Sequence, residues 1–90
     1  MGEKFWGFEL FDVIPDIVTM GKPIANGHPM GGVITTRKIA DAFNNGMEYF
    51  NTFSGTHVSC KIALEVLKII KDEHLQENSK IIGKYFKEQL

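Results

Sequence analysis

The chain is poor in cysteine, balanced in charge and free of long apolar runs, and each of these removes a class of protein. With Cys60 as its one cysteine it can form no internal disulfide, so a reducing compartment suits it. That thiol lies in an apolar helical pattern and is expected to be buried and inert. Ten basic residues stand against 11 acidic ones, scattered along the chain, for a net charge of -1. Neither a nucleic acid nor an acidic membrane surface is therefore expected as partner. No stretch approaches the roughly 18 apolar residues of a membrane helix, and the N-terminus lacks the charged and apolar regions of a signal peptide. The chain reads as soluble and cytoplasmic, organelle targeting staying open because such a segment would lie upstream of Met1. His28, His57 and His74 have no metal-ligand spacing to one another or to Cys60, and no metal is expected.

What is present is ordinary globular material, 43% hydrophobic and 23% charged, enough for one small domain at most. Phe5, Trp6, Phe8, Leu10, Phe11, Val13 and Ile14 make residues 4–14 too apolar for an exposed loop, and core packing is expected of them. A short strand is predicted from Ile17 to Met20 and a second from Met30 to Thr35, weakened by Gly31 and Gly32 unless backbone or ligand must come close there. Thr36 suits the N-cap of a helix over Arg37 to Phe43, which Asn44-Asn45-Gly46 ends as a turn. Thr56 is placed to cap the next helix, whose stripe Val58, Ile62, Val66, Ile69, Ile70 has helical spacing, with Lys61, Glu65, Lys68 and Asp72 opposite. A break near His74 precedes a last helix, Leu75 to about Gln89, expected to pack Ile81, Ile82, Tyr85 and Phe86. Two strands and three helices are too little for a closed sheet, so the chain reads as part of a larger α/β layer.

Between the two strands, Gly21 to Pro29 presents one lysine, Lys22, on a loop punctuated by proline and glycine. The loop is not a phosphate-binding P-loop, since Asp16 stands where a glycine is needed and Pro23 where Ser or Thr is needed. A lysine in such a loop is commonly a solvated surface charge. Held beside a bound carbonyl and desolvated, it is an amine nucleophile.

The run Asp16-Ile17-Val18-Thr19-Met20-Gly21-Lys22-Pro23, followed by Asn26-Gly27-His28-Pro29, resembles the lysine motif of the class III, ornithine-aminotransferase-like pyridoxal phosphate enzymes. Phe50-Asn51-Thr52-Phe53-Ser54-Gly55 resembles that family's second signature, and Phe5-Trp6-Gly7-Phe8-Glu9 with Asp12-Val13-Ile14-Pro15-Asp16 its lead-in to the lysine strand. Within the family, Gly27-His28-Pro29 is most similar to the branch that holds alanine-glyoxylate-type aminotransferases and phospholyases of phosphorylated amino alcohols.

The resemblance implies a fold-type-I α/β protein, residues 1–90 forming part of its large domain: strand, lysine loop, strand and short helix, then two longer helices leading toward a C-terminal domain. It implies pyridoxal 5′-phosphate as cofactor, Lys22 as the catalytic residue that holds it as an internal aldimine and then moves a proton, and Thr52, thirty residues on, as a donor to the phosphate of the cofactor held by the other subunit. Ser54-Gly55-Thr56-His57 stands where many relatives have Gly-Gly-Asn-Pro, which affects the phosphate contacts near the helix start. The implied partners are an amino-group donor, a keto-acid acceptor and a second subunit in a homodimer. The aspartate that pairs with the pyridine nitrogen, the glycine-rich phosphate turn, the ring-stacking aromatic and the substrate-carboxylate arginine are absent from these residues. The expectation is therefore a fragment of a longer transaminase, or a chain truncated at an internal methionine and inactive alone. A phospholyase is the other enzymatic reading.

Overall fold

The computed structural model describes residues 2–90, so Met1, taken above as the start of a stretch internal to the family, lies outside the described residues. Contacts cluster into two units, Pro15–Leu64 and the segments flanking it, with the boundary inside one helix.

In the unit Pro15–Leu64, strands β1 (Ile17–Met20) and β2 (Gly32–Thr35) pair antiparallel, with Val18 opposite Ile34 and Met20 opposite Gly32. β1 follows its β-branched run, and Thr35 Oγ1 pins the open end by donating to Asp16 O at 2.9 Å. β2 is shorter than the predicted Met30–Thr35, because Met30 and Gly31 complete the lysine loop before pairing begins. Gly32 has a spatial reason: a Cβ there would sit 3.2 Å from Met20 Cε and 3.8 Å from Ile24 Cδ1. Helix α1 (Arg37–Phe43) starts where predicted, with the Ile39 amide donating to Thr36 Oγ1 at 3.4 Å and the Ala40 amide to Thr36 O at 3.0 Å. Phe43 meets Tyr49 edge-on at 5.7 Å beyond the turn.

Helix α2 (His57–Asp72) crosses the unit boundary, and helix α3 (Leu75–Glu88) follows. The junction between them is His74, in the left-handed region at φ 51°, which breaks the helix where the sequence suggested. On the charged face of α2, Lys68 pairs with Asp72 at 2.8 Å. In the flanking unit the N-terminal segment forms a 3-10 turn, Gly7–Phe11, opened by Trp6, whose amide donates to Glu9 Oε2 at 3.0 Å. Trp6 stacks on Phe8 with centroids 5.8 Å apart, and Phe5 meets Trp6 edge-on. Lys80 of α3 pairs with Glu3 at 3.1 Å.

Burial corrects several expectations. Among the described residues only Ala25 and Ala63 are buried, and neither completely. Phe5, Trp6 and Phe8 are half-buried, but Leu10, Phe11, Val13 and Ile14 are exposed, Ile14 at 95%. Ile81, Ile82, Tyr85 and Phe86, expected to pack, are exposed, as are Val58 and Ile69. Helical spacing groups apolar side chains on one face, but coverage of that face depends on a neighbouring layer. An incomplete α/β layer, as read from the element count, leaves such faces open.

Candidate functional site

The lysine loop is built by backbone geometry. β1 ends at Met20, Gly21 continues extended at φ −162°, and Lys22 then turns into the left-handed region at φ 48°. Lys22–Ala25 forms a 3-10 turn with Pro23 at its second position, and Asn26, also left-handed at φ 48°, closes it by donating its amide to Pro23 O at 3.0 Å. The His28 amide donates to Ala25 O at 3.1 Å. Ala25, only 2% exposed, anchors the loop from beneath. A lysine with positive φ ahead of a proline is strained, and such strain persists only where the surroundings over-determine it. Lys22 is exposed and, among the described residues, its amine has no hydrogen-bond or ion-pair partner. Its amine is uncommitted within the segment but solvated, and the desolvation that an amine nucleophile needs is not supplied by these residues.

Thr52 begins the turn Thr52–Gly55. Asn51 organises this turn: its Oδ1 accepts from the Phe53 amide at 3.0 Å, and its carbonyl accepts from the Ser54 amide at 3.3 Å. Gly55 supplies the left-handed residue, at φ 67°, that turns the chain into α2. The Cys60 amide bonds Thr56 O at 3.0 Å as the first bond of α2, which leaves the amides of His57, Val58 and Ser59 without helical acceptors. The hydroxyl of Thr56, expected to cap the helix, instead donates to Ser59 Oγ at 2.6 Å.

The two candidate residues share no hollow near the lysine loop, and Thr52 lines neither of the two that meet at Pro29 and Met30. Lys22 faces an open hollow with Pro23, Asn26, His28, Pro29 and Met30. A second hollow, 760 Å³, is walled by the strand pair at Met20 and Gly32, by Asn51 and Phe53–Thr56, and by Ser59 and Cys60 of α2. Pro29 and Met30 line both. The structure thus brings the Thr52–Gly55 turn alongside the end of the lysine loop without joining Thr52 itself to Lys22. Cys60 is exposed, contrary to the buried thiol expected, because the α2 face that carries it opens onto this hollow. His57 is exposed. No group of three or more His, Cys, Asp or Glu side chains converges among the described residues.

Sequence reasoning missed one pair. His28 Nε2 lies 2.8 Å from Ser59 Oγ, the one half-buried side-chain hydrogen bond among the described residues. Neither residue signals the other, since they lie 31 positions apart and the bond exists only once the loop folds back on α2.

Residues 2–90 match the family model for class-III aminotransferases. The chain belongs to the class III aminotransferase family. This class III chain is 52% identical over 85 residues to the human protein named alanine–glyoxylate aminotransferase 2, mitochondrial, a match that covers 94% of the chain and 16% of that protein. It is 48% identical over 90 residues to alanine–glyoxylate aminotransferase 2-like of Drosophila melanogaster, covering 99% of the chain and 18% of that protein. Alanine–glyoxylate aminotransferase 2 homolog 2, mitochondrial, of Arabidopsis thaliana is 52% identical over 87 residues, with 97% of the chain and 18% of that protein covered. The class III chain thus spans less than a fifth of the length of these relatives. No solved structure matches it. Family membership makes the fold type-I α/β, with which the two-stranded sheet and helices agree.

Proposed function

We propose that this segment carries the cofactor lysine of a pyridoxal phosphate-dependent transaminase and forms part of its large domain. The observation that carries the reading is Lys22 itself: an unpartnered amine at the mouth of β1, on a backbone held at φ 48° by a hydrogen-bonded 3-10 turn. The residues offer two separate parts of the cofactor's donor set: a free amine at Lys22 for its aldehyde and, apart from it, hydroxyl and amide donors at Thr52 and the start of α2, which suit the phosphate of the cofactor held by the other subunit. When bound, the cofactor supplies an electron sink for charge developing at the substrate α-carbon.

The chain's own residues then have distinct tasks. Lys22 would hold the cofactor through its Nζ, and the same amine would carry the proton that moves to and from the substrate α-carbon. The Thr52 hydroxyl would donate to a phosphate oxygen of the cofactor held by the other subunit. Donor and acceptor are an amino acid or amine and a keto acid. The relatives' names support alanine and glyoxylate as the first pair to try, and the word mitochondrial in two of those names supports an organelle over the cytoplasm. The homodimer implied by the resemblance is part of the same proposal. His28 within Gly27-His28-Pro29 favours one second reading, loss of phosphate from a phosphorylated amino alcohol, which phosphate release without a keto acid distinguishes. Catalysis belongs to the full-length protein, and the isolated segment is expected to show none.

The test uses a full-length protein of the family carrying this segment. Incubation with pyridoxal phosphate, borohydride reduction and peptide mapping should place the cofactor on Lys22, and Lys22→Ala should lose the cofactor absorbance band. A band that survives in Lys22→Ala refutes the assignment.

A further inference from the structure

We propose that His28 and Ser59 are positioning residues that clamp the lysine loop to α2 and so aim Lys22. The inference rests on the reading of Lys22 as the cofactor lysine and adds to it how the loop is held. Three observations carry it. The lysine loop's internal bonds, Asn26 to Pro23 O and His28 to Ala25 O, tie it only to itself. Its one side-chain hydrogen bond to another element, among the described residues, is His28 Nε2 to Ser59 Oγ at 2.8 Å, and that bond is half-buried. Ser59 is in turn fixed by Thr56, whose hydroxyl donates to it at 2.6 Å.

The result is a chain of imidazole, hydroxyl and hydroxyl that runs from the lysine loop to the residue following the Thr52–Gly55 turn. It holds in either histidine tautomer, because a serine hydroxyl that accepts from Thr56 can still donate to an unprotonated Nε2 or accept from Nε2–H. A net hydrogen bond of ordinary strength corresponds to about a fivefold change in the opening equilibrium of the loop.

The experiment compares Ser59→Ala, Ser59→Thr, His28→Ala and the double alanine variant in a full-length protein of the family carrying this segment. The first readout is amide exchange in the cofactor-free protein. Exchange at Asn26 and His28 should quicken about fivefold in each alanine variant and no further in the double variant. Ser59→Thr, which keeps the hydroxyl, should restore the parent value, and the β1–β2 ladder should be unmoved throughout. The second readout is the rate at which pyridoxal phosphate is captured on Lys22, followed by absorbance and by borohydride trapping; it should fall several-fold in the alanine variants and recover in Ser59→Thr. Unchanged loop exchange in Ser59→Ala overturns the clamp. Quickened exchange with unchanged capture overturns the positioning role while leaving Lys22 as the cofactor lysine. If the parent itself captures no cofactor on Lys22, the function proposed above fails and the positioning role fails with it, whatever the exchange shows.

Discussion

Replacing Lys22 by glycine and by alanine tests whether its left-handed backbone is stored strain. Both substitutions remove the amine, so the comparison isolates the main chain. At φ 48° a residue with a Cβ carries about 1–2 kcal/mol that glycine does not, and the ring of Pro23 narrows the alternatives further. Glycine gives back about 0.4–1 kcal/mol through the greater freedom of its unfolded chain. The difference leaves Lys22→Gly more stable than Lys22→Ala by about 0.5–1 kcal/mol, whereas at an exposed position with negative φ the order is reversed. Urea denaturation of the two variants in a full-length protein of the family carrying this segment reads the difference as a shift in midpoint at constant slope. A glycine variant no more stable than the alanine variant would refute the strain argument, and with it the claim that the turn forces the lysine's backbone.

The same physics applies elsewhere. His74→Gly should stabilise by about 1 kcal/mol in thermal or urea melts, because His74 also sits at positive φ, 51°, where α2 gives way to α3. Gly32→Val should cost about 1 kcal/mol or less, since its first carbon would stand 3.2 Å from Met20 Cε, the end of a flexible side chain that can give way; a loss above about 2 kcal/mol in the melt would show that Met20 is held rigidly against β2. Thr36→Ala should lose about 0.5 kcal/mol, the low end for an N-cap, because the bond from Ile39 is long at 3.4 Å; helical content over Arg37–Phe43, followed by chemical shifts, should fall with it.

Much of the local structure was legible before the fold. The β-branched run from Ile17, the threonine before Arg37, the break at His74 and the lysine at the end of β1 are signals carried within a few residues, and each recurs in the structure within one or two positions. Burial was misjudged for Leu10, Phe11, Val13, Ile14, Cys60 and the apolar face of α3. In each case the pattern says that a face is apolar and says nothing of what covers it.

The sequence by itself determined the two strands, the three helices and, through its motifs, the family, because periodicity, capping and turn residues act over spans of three or four residues. Tertiary structure alone decided that Lys22 takes a left-handed backbone, that Gly32 lies against Met20, and that His28 meets Ser59 across 31 positions. Those facts follow from closing the chain on itself. A hydrogen bond between distant residues exists only after loop, strand pair and helix have each taken their place.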